Sequence, residues 1–483
     1  MQFALIGSVL GRLLMLFSVT MLTPAGVDLH FGDGSWPAFV WSFAAALLAG
    51  FLIWLPFRRA HGELKLRDGF LIVASFWVVL GSFGAAPLLF AAEPALSFTD
   101  AMFEAISGLT TTGATVLTGL DGMPRAILYY RQQLQWLGGL GIVVLAVAVL
   151  PMLGVGGMQL YRAETPGPMK DNRLTPRIKE TAKALWYIYC ALTAACALAY
   201  YLAGMTLFDA VSHAFSTVAI GGFSTHDASF AHFSGHGVRL VAIAFMFLAA
   251  INFSLHFIAF NRRTLAGYLR DAEFRAYAAA LLAICVSVVA GLLLWGRYSD
   301  PSLALIDGIF QSVSIMTTTG FTTANFSLWP GLLPMLLMLS ALMGGCAGST
   351  AGGIKCVRVL LLVKQGIREV RRLVHPSAEI PVTLGDTPVP TRVVDSVWGF
   401  FAVYVAVFIV ILIVLEGVGL DSFTAFSAVA ATLNNLGPGL GEVAAGYGGI
   451  APAAKWACIV AMLLGRLEIF TFLVLLSPTF WRP

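Results

Sequence analysis

The chain has 483 residues, of which 58% are hydrophobic and only 11% charged, with a mean hydropathy of +0.85. A soluble core of this length would not carry so little charge, so the composition excludes an ordinary globular protein and places the chain in a bilayer. The formal net charge of +4 comes from basic loops between apolar runs and gives no support for nucleic-acid binding.

Crossing about 30 Å of hydrocarbon as a helix takes roughly 20 residues. Apolar runs of that order lie near 3–22, 39–57, 70–91, 133–152, 183–204, 238–259, 276–296, 396–417 and 456–477, and a longer, interrupted one over 331–364. Residues 3–22 carry Arg12 inside the run, with no charged segment before it and no small-residue cleavage site after it. They are read as a retained helix, not a cleaved leader. Lys and Arg concentrate in four loops, 58–69, 153–183, 260–275 and 355–392, whereas 23–38 has neither. The basic loops alternate with the spans and are assigned to the cytoplasm, which also puts the N-terminus there. Cys190, Cys196, Cys285, Cys346, Cys356 and Cys458 show neither a CxxC pair nor a metal-ligand spacing with His; they read as small apolar residues.

One pattern occurs four times: a short apolar helical segment, then a loop ending in glycine. The copies span 100–113, 209–222, 307–320 and 424–437, and Asp100, Asp209 and Asp307 each stand 13 residues before their glycine, with Thr424 in that place in the fourth. A segment of about 10–12 residues cannot cross a bilayer. Irregular backbone at membrane depth must be buried in protein or line a wet cavity, so the four loops are expected to meet at one axis. The expected architecture is an all-α polytopic membrane protein. Four helix–half-helix–filter loop–helix repeats stand in pseudo-fourfold arrangement around one pore, with an N-terminal two-helix hairpin, about ten transmembrane helices in all. The units are 1–57 (hairpin), 58–160, 161–263, 264–372 (with an intramembrane gating loop) and 373–483.

An ion that enters a pore loses water, and converging backbone carbonyls can replace it. Glycine reaches the required backbone conformations at little steric cost, and threonine adds a hydroxyl and a stiff χ1. Thr111, Thr112 and Gly113, and Thr318, Thr319 and Gly320, suit that role; Ile220, Gly221 and Gly222, and Asn435, Leu436 and Gly437, offer the same carbonyls. Each half-helix ends at its loop, so its negative dipole end favours a cation. With no Asp or Glu ring in the loops, a hard monovalent cation fits better than calcium. Asp100, Asp209 and Asp307 read as caps at half-helix N-termini, with ion binding as the alternative. Glu104 and His213 read as structural hydrogen-bonding groups behind the filter, against the functional role that an intramembrane ionisable group suggests.

At these residues the chain resembles the Trk/Ktr/HKT superfamily of potassium transporters, and within it the bacterial TrkH/TrkG subunits. The marks are Gly108–Thr115, Ile220–Asp227, Thr317–Thr323, Leu433–Gly441, Gly344–Gly353 and Gly465-Arg466-Leu-Glu468. The resemblance covers the whole chain and implies a homodimer in the bacterial inner membrane with one pore per subunit. It further implies low-affinity K+ uptake, regulated by a TrkA-like cytoplasmic nucleotide-binding subunit. Glycine at 113, 222, 320 and 437 implies K+ over Na+, with Rb+ admitted, since relatives with serine at the first of these favour Na+.

In the third unit the apolar run from Leu332 ends in Gly344, Gly345, Cys346, Ala347, Gly348, Ser349, Thr350, Ala351, Gly352 and Gly353. Five glycines in ten residues break a helix. The segment lacks the GxxxxGK[ST] order, so no nucleotide is expected to bind this chain. Its depth suggests a constriction below the filter, and the resemblance implies a gate there, with Arg466 as an electrostatic barrier; a salt bridge to Glu468 is the structural alternative. Arg368, Arg371 and Arg372 are either a topology signal or a docking face for the regulatory ring. A proton- or sodium-coupled symporter is the alternative function, although its usual inverted repeats differ from the parallel ones here. No nucleophile–base–orienter set or HExxH points to an enzyme.

Overall fold

The computed structural model describes residues 1–60, 66–148, 174–467 and 469–482. Much of the basic loop 153–183, together with Lys65 and Glu468, lies outside the described residues.

The N-terminal hairpin comprises the helices Phe3–Val19, Leu22–Phe31 and Trp36–Trp54. The expected loop 23–38 is therefore helical over most of its length, because the apolar content of Leu22–Phe31 continues the first run past a break at Thr20–Met21. The first and third helices cross at a glycine pair. A Cβ on Gly11 would lie 2.7 Å from the Gly50 carbonyl oxygen, and one on Gly50 would lie 2.8 Å from that of Gly11. Without side chains there, the backbones touch, as small residues allow where lipid supplies no hydrophobic drive.

Four repeats follow, each an outer helix, a half-helix, a loop and an inner helix. The outer helices are Leu66–Gly84, Leu174–Leu202, Ala272–Leu294 and Thr391–Gly417; the half-helices are Phe98–Leu109, Leu207–Ala219, Pro301–Met316 and Ser422–Leu433. Among the described residues six helices are long and apolar enough to cross a membrane, and two bent pairs raise this to eight. The inner helix of the first repeat, Arg125–Ala148, is continuous where described. The others are not. The run 238–259, expected to be one span, is His236–Ala249 and Phe253–Arg262 at 95°, and 456–477 is Pro452–Arg466 and Phe470–Leu476 at 112°. Both runs are apolar enough on average to read as one span, but Asn252 caps the second piece of the first run, accepting from the Ser254 amide, and Arg466 ends the first piece of the second. In the third repeat Leu333–Met343 and Cys356–Val374 flank the glycine-rich segment. The half-helices are buried on nearly every side: Ala101 through Leu109, for example, are all buried. A helix apolar all round belongs in a protein interior.

The lone sheet among the described residues is a small hairpin, Thr383–Leu384 against Thr387–Pro388, with Thr383 opposite Pro388. Lys364 Nζ donates to the Thr383 carbonyl (2.7 Å), which ties the hairpin to the helix Cys356–Val374. That helix is amphipathic, with Val363, Ile367, Val370 and Leu373 exposed along one side. Arg368 and Arg372 flank Glu369 at 3.3 and 3.6 Å.

The glycine crossing makes a direct forecast. Gly11→Val should push the first and third helices apart at a cost of about 1–3 kcal/mol, read as a lower unfolding midpoint by tryptophan fluorescence in detergent; an unchanged midpoint would contradict the close approach.

Candidate functional site: the glycine ring

All four half-helices end in the same way. The residue two before each glycine, Thr111, Ile220, Thr318 or Asn435, is left-handed at φ 53, 53, 66 and 53°, and Gly113, Gly222, Gly320 and Gly437 follow at 80, 81, 86 and 96°. In each, the next amide reaches back to a half-helix carbonyl: Thr112 to Ser107, Gly221 to Ser216, Thr319 to Ser314 and Leu436 to Ala431, all at 2.8 Å. A second bond runs from the left-handed residue itself, as from Thr111 to Gly108 at 2.9 Å and Asn435 to Thr432 at 3.2 Å. Together these are the paired bonds of a Schellman C-cap. Sequence reading singled out the glycines but not this left-handed position. Only Asn435 is of a type that tolerates it; a β-branched Ile220 there costs about 1–2 kcal/mol.

The glycines close a ring. A Cβ on Gly113 would collide with the Gly221 carbonyl, on Gly222 with that of Thr319, and on Gly320 with that of Leu436; on Gly437 it would lie 2.7 Å from that of Thr112. Each loop thus presses its penultimate carbonyl against the glycine of the loop before it, in the cyclic order one, two, three, four, one. The four glycines line a single solvent-open cavity together with Thr115, His226 and Tyr447.

Each loop is also tied down from behind by a side chain near the middle of its half-helix. Glu104 accepts from the Val116 amide (3.0 Å) and the Thr115 hydroxyl and is paired with buried Arg131 at 2.7 Å. His213 Nε2 lies 2.9 Å from Ser224 Oγ, and Gln311 accepts from the Thr323 amide at 3.3 Å. In the fourth repeat Ser427 Oγ accepts from the Leu440 amide at 2.9 Å. Glu104 and His213 thus make hydrogen bonds behind the ring. The inner helix of the first repeat adds more: Gln135 Nε2 donates to the Gly221 carbonyl (2.6 Å), its Oε1 accepts from the Phe223 amide, and Arg131 Nη1 donates to the Ser224 carbonyl. Sequence reading missed these. The signal was present as the run Arg131-Gln-Gln-Leu-Gln135 inside an apolar span.

The aspartate caps need correction. Ser97 and Thr206 are the N-caps, accepting from the amides of Asp100 and Asp209, whose carboxylates in turn accept from the capping hydroxyls. Each is a reciprocal hydroxyl–carboxylate cap, in which the carboxylate meets the capping hydroxyl and not the backbone N–H that a capping box would use. Asp307 caps nothing: its half-helix starts earlier, at Pro301 with Asp300 as N-cap. Asp307 instead pairs with Arg239 at 3.1 Å. Asp100 also holds Lys455 at 2.6 Å. In the fourth repeat Asp421 is the N-cap, accepting from the Thr424 amide at 3.1 Å.

The glycine-rich segment lies directly against the ring. Its neck is pinched, with the Ile354 amide on the Leu342 carbonyl at 3.0 Å; a Cβ on Gly344 would strike the Gly352 carbonyl, and one on Gly345 would lie 2.9 Å from that of Ala250. Gly352 N–H donates to Thr318 Oγ1 (2.7 Å), Gly353 N–H to the Asn434 carbonyl (3.1 Å) and Thr350 Oγ1 to the Val218 carbonyl (2.9 Å). It therefore touches the ends of the second, third and fourth half-helices. Its outer side is held by the Cys346 amide on the Ala250 carbonyl, the Ala347 amide on Glu273, and Gly348, whose carbonyl accepts from Phe253. Ser349 Oγ turns back to the Cys346 carbonyl. Arg466 ends its helix here, buried, donating to the Thr350 carbonyl at 3.1 Å, while its Nε and Nη2 find no partner among the described residues. Its alternative partner Glu468 lies outside the described residues.

At the outer rim, a hydrogen bond from His226 holds the Asp121 carboxyl below the usual range. Burial pulls His226 down, but the carboxylates of Asp209, 3.4 Å from its Nε2, and of Asp121, hydrogen-bonded to its Nδ1, outweigh it and raise its pKa.

Four capped half-helices closed into a ring, inside a shell of long apolar helices, define a multi-pass membrane transport protein of the four-repeat class. The TrkH family model, described as a cation transport protein, matches residues 35–482. The chain is 57% identical over 486 residues to the Trk system potassium uptake protein TrkH of Vibrio parahaemolyticus, each covered in full. It is 53% identical over 484 residues to TrkH of Escherichia coli, again in full, and 43% identical to TrkG of that organism, covering 98% of this chain and 97% of the relative. The crystal structure of the potassium transporter TrkH from Vibrio parahaemolyticus superposes with a TM-score of 0.93 at 55% identity, covering both chains in full. The chain belongs to the TrkH family.

Arg131→Met would leave the buried Glu104 charged and unpaired. The expected loss is about 3–5 kcal/mol, partly recovered by adding Glu104→Gln, as measured by thermal unfolding of the two variants in detergent.

Proposed function

We propose that this chain carries K+ across the bacterial inner membrane, through a channel-like, gated pore in which the glycine ring is the selectivity filter. The ring carries the reading: four backbone loops in cyclic contact, each at the negative end of a buried half-helix, form an oxygen-rich constriction without carboxylates. That chemistry suits a monovalent cation shedding its water. The coordinating set comprises the carbonyls at Thr111, Thr112 and Gly113, Ile220, Gly221 and Gly222, Thr318, Thr319 and Gly320, and Asn435, Leu436 and Gly437. The names of the relatives, potassium uptake proteins, supply the ion.

The gate in this reading is the segment 344–353 with Arg466. The segment sits against three half-helix ends and is anchored by a guanidinium two of whose nitrogens have no partner among the described residues. A cation about 4–6 Å from that charge meets a few kcal/mol of repulsion at intermediate dielectric. We place the N-terminus in the cytoplasm and take a homodimer as the working assembly. Regulation falls to a TrkA-like nucleotide-binding ring, docked on the basic, amphipathic helix Cys356–Val374; its arginines and exposed apolar side chains support that role.

The test is radioactive rubidium uptake into liposomes containing the pure chain. Uptake is expected in the wild type, and Gly113→Ser should admit Na+ at the expense of Rb+; no uptake at normal protein level would refute the reading. Current reversal potentials that move with pH or Na+ would instead favour coupled symport.

Arg466→Ala, and separately deletion of 346–350, are each expected to raise rubidium flux several-fold. A folded Arg466→Ala with lower flux would assign the arginine a purely structural role.

A further inference from the structure

Three side chains above the ring have chemistry that cation conduction does not use. Asp121 lies in the turn Leu120–Gly122, and His226 and His232 lie in the loop after Gly222. One ligand atom from each is within 4.8 Å of the other two. The imidazoles lie face to face, 3.5 Å between centroids and 5° between planes. Asp121 Oδ1 is 2.5 Å from His226 Nδ1 and 4.0 Å from His232 Nδ1, so both δ nitrogens face one carboxylate oxygen. On the far side, His226 Nε2 is 3.4 Å from Asp209 Oδ1, itself held by the Thr225 hydroxyl at 2.7 Å.

We propose that Asp121, His226 and His232 form a binding site for a transition-metal dication of the zinc class at the outer mouth, and that the bound ion impedes cation entry. Two imidazoles and a carboxylate are a donor set for zinc, nickel or copper and a poor one for an alkali ion. Three protein ligands leave a position for water, as in open zinc sites. A carboxylate behind the far nitrogen of a ligating histidine is the usual outer-shell partner, fixing ring and tautomer. The plainer account, in which Asp121 and His226 merely tie the first loop to the second, explains that pair alone. Stacking on His226 accounts for the ring plane of His232, 45% exposed at its side chain, but not for its δ nitrogen being turned toward the same oxygen, and a turn of that exposed ring out of the stack aims both δ lone pairs at one ion. The position supplies the consequence. His226 lines the same cavity as the four glycines, so a dication held there adds two positive charges where an incoming cation must pass.

The site goes beyond the transport reading, and metal binding is measured separately from flux. The full chain in detergent, stripped with chelator, is titrated with Zn2+ by calorimetry at neutral pH. One zinc per chain is expected, with affinity falling at least about tenfold in His232→Ala and in Asp121→Asn. In liposomes, external Zn2+ should reduce rubidium uptake and chelator should restore it. His232→Ala, away from the glycine ring, should keep basal uptake and lose the zinc effect, with His232→Gln as a second variant if the alanine form is poorly folded. No zinc bound by the wild type, or equal affinity in the folded His232 variants, overturns the site; binding without any change in uptake overturns the obstruction. A chain that binds zinc but carries no rubidium would support the site and fail the transport reading alone.

Discussion

A helix that stops inside a membrane protein leaves its last carbonyls without water to turn to. The rest of this molecule is arranged around how four half-helices meet that constraint. Each spends two carbonyls on a Schellman cap, which forces one residue and then the glycine into left-handed backbone. The cap fixes the direction in which the loop leaves the helix. Because all four caps share one geometry, the loops meet in cyclic contact, glycine against carbonyl. Ring closure follows from the caps, and the glycines are required by the closeness of that contact as much as by their φ.

The caps share a backbone, but the bracing behind them does not. Glutamate, histidine and glutamine fill the same place in three half-helices, nine residues before each glycine, while the fourth uses Ser427 one position earlier. The first and second loops are further bound by Arg131 and Gln135 from one inner helix. The third and fourth lean on the glycine-rich segment through Thr318 and Asn434. The first half of the ring is therefore braced mainly by a helix that is continuous over its described residues, and the second by an element with a pinched neck and several glycines, which also reaches the second half-helix through Thr350. A fourfold backbone carries a twofold mechanical difference.

How much of this was legible in the sequence varied with the physical cause. The repeat was legible because close approach admits only glycine, and glycine at a fixed interval is visible in one sequence. The left-handed positions were not, because Thr111, Ile220 and Thr318 hold that conformation against their own preference under tertiary constraint. The breaks in the second and fourth inner helices were partly legible: Asn252, which caps the helix that follows it, and Arg466, which ends its helix, are polar residues inside otherwise apolar runs. The misplaced cap at Asp307 came from trusting the repeat over a local signal: Asp300-Pro301 is a strong helix start, and its aspartate stood in the sequence seven residues earlier. The bracing was half legible. Glu104 and His213 stood out as ionisable groups in apolar surroundings, but their partners Thr115, Arg131 and Ser224 stand 11 to 27 residues further along the same repeat, at separations that no helix period reveals.

The bond between Gly352 N–H and the Thr318 hydroxyl makes two proposed parts, filter and gate, into neighbours that share a proton donor. Withdrawing the segment must leave that hydroxyl and the Asn434 carbonyl free to face an ion or water. Under thermodynamic linkage the exchange is reciprocal: any ion that gains from those freed oxygens favours withdrawal by the same free energy. The permeating cation would then act as a ligand of the opening step, and the open probability would depend on which ion occupies the innermost position, not only on what pulls from the cytoplasm.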